Sequence, residues 1–142
     1  MISRTLTGHR AHVWSMDPSI DRDHADYNWE EFLKDGEMKH LPVREGERLT
    51  VFRLAPLTRM QMMRVMEMDG MQRVNEAVAF GLRGADNYTV DGESVVLEFK
   101  HQGDERRVHE KSLNRVFDPM LFAELGSRIL SISTLDPLSL RA

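Results

Sequence analysis

The dipeptide Asp91–Gly92 is the sequence feature that most constrains the fold of this chain. It lies between Tyr88–Val90 and Ser94–Phe99, two runs that are rich in β-branched and aromatic residues. An Asp-Gly pair flanked in this way is one of the strongest short signals for a β-hairpin. A second turn follows at Gln102–Asp104. We therefore expect antiparallel strands over about residues 88–109.

A strand and a helical region are predicted between residue 49 and the hairpin. Leu49–Leu54 is β-branched and aromatic, which predicts a strand. Thr58 then caps a helical region over about residues 59–83. Gly70 is expected to divide this region into two segments, and Gly84 to end it.

A further helix follows the hairpin. Asp118–Pro119 has the form of a helix start, because proline is favoured at the first helical position. The apolar spacing extends this helix over about residues 119–133. Residues 49–142 are thus predicted to form a small α+β domain, dominated by helices, with a β-hairpin or small antiparallel sheet.

Residues 1–48 differ from the rest in composition. Residues 17–37 hold eight acidic side chains against Arg22 and Lys34, and apolar residues are sparse. Ordering a backbone costs about 1–2 kcal/mol per residue, which so few apolar side chains offset poorly. We therefore expect an extended N-terminal arm over residues 1–48, held in place by a partner chain.

One short helix is expected inside the arm. Asn28 is a good N-cap for the segment Trp29–Lys34, and Gly36 is a good terminator. Two acidic residues in the first turn and a lysine near the end also suit the helix dipole.

Composition excludes several classes of function. The chain has 142 residues, a formal net charge of −4 and no cysteine. Disulfides, thiolate nucleophiles and cysteine-ligated metals are therefore excluded. The sequence has no apolar run of the roughly 20 residues that a membrane span needs. Its net acidity disfavours nucleic acid as a partner.

No motif in the chain predicts catalysis or a cofactor. There is no nucleophile elbow, P-loop or dinucleotide-binding glycine pattern. His9 and His12 lack a third ligand at a suitable spacing, and the acids at 21, 23 and 26 do not fit a calcium loop. We expect no metal site, no cofactor and no enzymatic activity.

The methionines are unusually concentrated. Six of the ten lie between residues 60 and 71. Met60, Met63 and Met66 share one helical face, which is expected to face the core. Met62 and Met68 point elsewhere and are expected to contact a partner, because thioethers adapt to irregular surfaces.

The order of these elements resembles that of small tailed-phage proteins from the tail-assembly region. The resemblance lies in the segments Val51–Thr58, Val78–Gly84 and Glu124–Leu135, and it spans roughly residues 49–135. It implies a non-enzymatic tail assembly chaperone or accessory virion protein that binds components of the tail or head–tail region. The long acidic arm departs from the usual chaperone pattern and suits a subunit locked among its neighbours.

The resemblance also implies the partners and the location. The partners would be other phage structural proteins or further copies of this chain, without nucleic acid or membrane. The location would be the virion, or the host cytoplasm during assembly. The residues expected at the interface are Trp14, Tyr27, Trp29, Phe32, Met62, Met68, Leu138 and Leu140. The alternative is a small ligand-binding domain or enzyme whose site is assembled from residues distant in sequence.

Overall fold

The computed structural model describes residues 10–103, 105–116 and 118–135. Helices and short antiparallel strands alternate along these residues, which confirms the α+β prediction. The helices are α1 (Trp29–Asp35), α2 (Arg59–Met66), α3 (Gly70–Gly81), α4 (Glu110–Leu113) and α5 (Pro119–Leu135), with a 3-10 turn at Met38–His40. The strands are β1 (Arg10–Val13), β2 (Val51–Leu54), β3 (Leu82–Asp86), β4 (Thr89–Val90), β5 (Glu93–Ser94), β6 (Phe99–Gln102) and β7 (Glu105–Val108).

Strand β2 lies at the centre of a three-stranded antiparallel sheet in the order β1-β2-β3. Successive side chains of a strand point to opposite faces. Phe52 and Leu54 accordingly join a main core, while Val51 packs against a second, smaller core. One strand therefore contributes to both hydrophobic cores of the protein.

The main core is built largely from β2, α3 and α5. Its buried side chains come from every helix of the domain except α1 and from the ribbon of β6 and β7. Helices α3 and α5 pack closely at two glycines, since a Cβ at Gly81 would collide with Ile129 and one at Gly126 would lie 2.9 Å from Val74 Cγ1. The glycines therefore permit the close approach of the two helices.

The second core is formed by the segment that was predicted to be an extended arm. Its buried members are Val13, Ile20, Phe32, Leu41 and Leu49. The structure differs from the prediction because β1 pairs with β2 along its whole length, and because Ile20 bridges to Val43. From Arg10 onward, the segment 10–48 is thus folded against the domain. Residues 1–9 lie outside the described part of the chain.

The short helix inside this segment is confirmed. Helix α1 begins after Asn28, whose Oδ1 accepts a hydrogen bond from the Glu31 N–H at 3.1 Å. It ends at Gly36, which has a left-handed conformation with φ of 71°. A Cβ-free residue is favoured in that conformation.

The helical region after Thr58 is confirmed, with corrected ends. Thr58 and Gln61 form a capping box at the start of α2. Helix α3, however, stops at Gly81, and the chain continues directly into β3. Gly84 was predicted to end the helix, but it is a strand residue. The side chain of Arg53 lies over it, so a Cβ there would displace the guanidinium.

The hairpin at Asp91–Gly92 is confirmed, but its strands are short. Asp91 and Gly92 both have positive φ, 53° and 82°, as a type I′ turn requires. The predicted continuous strand Ser94–Phe99 is interrupted, because β5 ends at Ser94 and β6 begins at Phe99. Strands β6 and β7 form a separate two-stranded ribbon.

The last helix is also confirmed. It begins at Pro119, as predicted, and its Asp118 side chain accepts hydrogen bonds from the N–H groups of Met120 and Leu121. It extends to Leu135, two residues beyond the predicted end. Among the described helices, none has the length and apolarity needed to cross a membrane.

We predict that Gly81→Ala lowers the free energy of unfolding by about 1–3 kcal/mol, because the new methyl group overlaps Ile129. Helix propensity alone would favour alanine over glycine by about 1 kcal/mol, so a net loss would show that the overlap dominates. Urea denaturation is the measurement. In an Ile129→Ala background, the same substitution should cost little, and an equal cost in both backgrounds would contradict the packing explanation.

Candidate functional site

The aromatic residues predicted to bind a partner all make contacts within the protein. Phe32 is 1% exposed, so it cannot reach another chain, and its place in the prediction was wrong. Tyr27 and Trp29 are partly buried against the second core, and Trp14 against the main core. Because these three rings are partly exposed, their role at an interface stays a prediction. Leu138 and Leu140 lie outside the described residues.

The burial of the methionines of α2 is the reverse of the prediction. Met62 and Val65 are buried in the main core, with Met62 only 7% exposed. Met60, Met63 and Met66 are 72, 60 and 52% exposed, and Met71 at the start of α3 is 70% exposed. Met68 is half-buried. We call Met60, Met63 and Met66, which lie at intervals of three on α2, the methionine face.

The junction between α2 and α3 is held by a single guanidinium. Arg73 of α3 donates from Nε and Nη2 to the carbonyl of Met68, at 3.2 and 3.0 Å, and from Nη2 to the carbonyl of Met66 at 3.3 Å. These carbonyls stand at and just beyond the end of α2, where helical partners are lacking. Helix α2, which carries the methionine face, is therefore tied to α3.

One signal in the sequence could have indicated which face of α2 is buried. Thr58 and Gln61 had the capping-box pattern, which places Gln61 close to the start of the helix and turned toward its cap. Gln61 is in fact buried next to Met62 and bonds Glu105 at 3.2 Å. Methionines on several sides of α2 obscured this signal, because they gave no single apolar stripe.

A second feature is a polar cluster that joins β1 to α5. Glu124 of α5 accepts from His12 Nε2 at 2.7 Å, from Ser15 Oγ at 2.5 Å and from the Ser15 N–H at 2.9 Å. His12 is 1% exposed and stands against the rings of Trp29 and Phe32. The sequence did not predict this cluster, because Glu124 is more than 100 residues from both His12 and Ser15.

The geometry of this cluster suits anchoring better than nucleophilic catalysis. Both His12 and Ser15 bond the same carboxylate, whereas a nucleophile needs its hydroxyl next to the base. Burial raises the pKa of Glu124, but the hydrogen bonds from His12 and Ser15 outweigh it, so that the pKa lies below its ordinary value of 4.5. An ionised Glu124 thus holds the N-terminal segment on α5.

A cleft of about 370 Å³ lies beside Trp14 and Tyr88, with Phe52 among its lining residues. Much of its polar lining is engaged internally. The buried Asp17 accepts from the N–H groups of Ser19 and Thr50, at 2.9 and 3.1 Å, and the Tyr88 hydroxyl donates to the Arg115 carbonyl at 2.7 Å. Burial raises the pKa of Tyr88. These bonds stabilise the loops that form the cleft.

Glu31, Asp35 and His40 are close enough together to hold a metal ion, with ligand atoms within 4.8 Å of one another. His40 Nε2 already bonds Asp35 Oδ2 at 3.0 Å. The backbone N–H of Glu37 and the His40 side chain lower the pKa of Asp35. Exposed acidic groups of this kind are common, and the cluster is explained by its own hydrogen bonds.

Comparison with protein-family models, with curated proteins and with solved structures finds no match for this chain. Functional conclusions therefore rest on the residues themselves.

We predict that Glu124→Gln lowers the free energy of unfolding at pH 7 by about 1–3 kcal/mol, since it removes a charged acceptor of three hydrogen bonds. The lowered pKa means that the ionised carboxylate stabilises the fold above its unfolded pKa, and that this contribution disappears as pH falls through the folded value.

The wild-type protein should therefore lose more stability than Glu124→Gln when urea denaturation is repeated at pH values falling from about 5 to 3. The exposed Glu98 provides the matched control, Glu98→Gln. Parallel pH profiles for wild type and Glu124→Gln would show that Glu124 does not anchor the N-terminal segment.

Proposed function

We propose that this chain is a non-enzymatic protein of a tailed bacteriophage, which acts by binding other structural proteins during assembly of the tail or head–tail region. The observation that carries the binding part of the proposal is the methionine face. The phage setting rests on the order of sequence elements that resembles small tail-assembly proteins.

The methionine face has the chemistry of a protein contact. Met60, Met63 and Met66 follow one another at intervals of three, so they are neighbours on one side of α2. Each of the three side chains is more than half exposed, so together they form an apolar patch, and such patches mark interaction sites. Methionine is flexible and polarisable, which suits contact with partners of irregular shape.

The contacts around the methionine face hold the backbone that carries it in one conformation. Arg64 of α2 forms an ion pair with Glu105 at 3.3 Å, and Arg107 forms one with Glu76 of α3 at 3.0 Å. Together with Arg73, these contacts fix α2 and α3 against the domain. Binding would then require little ordering of the backbone, which limits its entropic cost.

Photo-crosslinking in phage-infected cells tests this proposal. A photoreactive amino acid replaces Met60 or Met63, and Met16 serves as the matched control because it is equally exposed, at 65%, but lies outside the methionine face. We expect positions 60 and 63, and not 16, to crosslink to tail or head–tail proteins identified by mass spectrometry. Equal crosslinking from all three positions, or crosslinks to host proteins alone, would refute the proposal.

We further predict that Met60→Gln/Met63→Gln/Met66→Gln weakens binding to the crosslinked partner by about tenfold or more, because it removes apolar area from the contact. The thermal midpoint should stay close to that of the wild type, since all three side chains are exposed. Met16→Gln should bind normally. Calorimetry with the purified partner gives the affinity, and unchanged affinity of the triple variant would exclude the methionine face as the contact.

A further inference from the structure

The cleft of about 370 Å³ beside Trp14 and Tyr88, which we call the aromatic cleft, has the size of a small-molecule site. Pockets for small ligands usually have volumes of about 300–1,000 Å³, with apolar walls and a few placed polar groups. The lining of the aromatic cleft comes from four separate stretches of the chain, within residues 14–19, 48–52, 87–90 and 118–121. The cleft is therefore a product of the tertiary fold.

Hydrogen bonds between these stretches hold the walls of the aromatic cleft in place. Thr50 Oγ1 donates to the carbonyl of Asn87 at 2.9 Å, and Asn87 Nδ2 donates to the carbonyl of Leu49 at 3.3 Å. Asn87 also has a φ of 58°, a left-handed conformation that is uncommon outside glycine. Because the walls are fixed in this way, a ligand would not have to order them, which limits the entropic cost of binding.

Aromatic rings give the cleft an apolar wall. Trp14 and Tyr88 are both half-buried and line the cleft, so part of each side chain remains accessible. The Tyr88 ring packs edge-on against Phe52, with 5.3 Å between the ring centroids, and its hydroxyl is bonded to the Arg115 carbonyl. The face of an aromatic ring is negative, so it attracts the weakly positive C–H groups of a ligand.

Several polar groups of the lining remain available for a ligand. Among the described residues, the guanidinium of Arg48 and the hydroxyls of Ser19 and Thr89 have no hydrogen-bond or ion-pair partner. Asp118 caps α5 through Oδ1 alone, so its Oδ2 can accept a further bond. The cleft thus presents donors and acceptors next to its aromatic wall.

The charges of the lining favour a neutral ligand. Arg48 would repel a cation, while the carboxylates of Asp17 and Asp118 would repel an anion. A neutral ligand has to donate to carboxylate oxygens and also accept from a guanidinium. Hydroxyl groups do both. A molecule that combines many hydroxyls with a C–H face able to lie on aromatic rings is a saccharide.

We propose that the aromatic cleft binds a saccharide ring. The C–H face of the ring lies against Trp14 and Tyr88, and its hydroxyls bond Arg48 and Asp118. This site is separate from the methionine face, since the two share no residue. The proposal goes beyond the assembly function and does not depend on it.

Titration of the full chain with sugars, followed by amide chemical shifts in NMR spectra, tests the proposal. The probes are glucose, galactose, mannose and N-acetylglucosamine. Sorbitol, the open-chain alditol of glucose, is the matched control, because it has similar hydroxyls but no ring face. We expect at least one sugar to shift the amides of Ser19 and Thr89 in a saturable manner, and sorbitol to leave them unchanged.

The methyl glycoside of the sugar that binds then identifies the source of the ligand. Retained binding is expected for the end of a glycan, because its anomeric oxygen is already substituted. Loss of binding is expected for a free sugar, whose anomeric hydroxyl is one of the recognised groups.

Two pairs of variants locate the binding. Arg48→Gln should weaken it about tenfold, as loss of a charged donor does, and Arg44→Gln, at an exposed arginine outside the cleft, should not. Tyr88→Leu and Tyr88→Phe both lose the hydroxyl bond to Arg115, but only Tyr88→Leu loses the ring. We expect Tyr88→Phe to bind like the wild type and Tyr88→Leu to bind about fivefold more weakly.

Three results would overturn the proposal. The first is absence of binding for all four sugars up to about 50 mM, where even weak complexes are populated. The second is equal binding of sorbitol and glucose, which would exclude a ring face on the aromatic wall. The third is equal affinity in Arg48→Gln, Arg44→Gln and the wild type, a comparison that stands even if Tyr88→Leu does not fold. None of them would affect crosslinking from the methionine face, which reports on the proposed function alone.

Discussion

The pairing of β1 with β2 is the interaction on which the rest of the structure depends. Strand β2 contributes Val51 to one core and Phe52 and Leu54 to the other, so both cores meet at this strand. The pairing places Val13 opposite Val51 and carries His12 to α5. Without it, residues 10–48 would have few apolar groups with which to offset the entropy of ordering the backbone. With it, their sparse apolar side chains are shared with the domain.

The sequence predicted the features that depend on neighbouring residues. Asn28, Thr58 and Asp118 each begin a helix as expected, and Asp91–Gly92 forms its hairpin turn. These features are determined by caps and turns within a few residues. The pairing of β1 with β2 joins residues about 40 positions apart and carries no local signal, so the segment was mistaken for an extended arm. The roles of Gly81 and Gly126 depend on the approach of two helices and could not be read locally either.

The candidate sites were harder to predict than the fold, for two physical reasons. Methionine is apolar but is tolerated on either side of a helix, so periodicity alone could not distinguish the buried Met62 from the exposed Met60 and Met63. The polar contacts of Glu124 with His12 and Ser15 require the tertiary fold, because they join the two ends of the chain. An acidic segment with few apolar residues is predicted to be solvated, because the helix that it binds lies far away in the sequence.

The fold also holds the methionine face and the cleft between α1 and α5 on separate sets of elements. The methionine face belongs to α2, which is fixed by Arg73 of α3 and by the ion pair of Arg64 with Glu105 of the β6–β7 ribbon. This cleft, of about 280 Å³, is lined by residues that include His12 of β1, Trp29 of α1 and Arg128 of α5, so it forms only when the N-terminal segment is docked. No residue is common to both surfaces. Loosening the Glu124 cluster should therefore remove the walls that α1 and β1 give this cleft, while the methionine face stays in place, because α2 is held by contacts of its own.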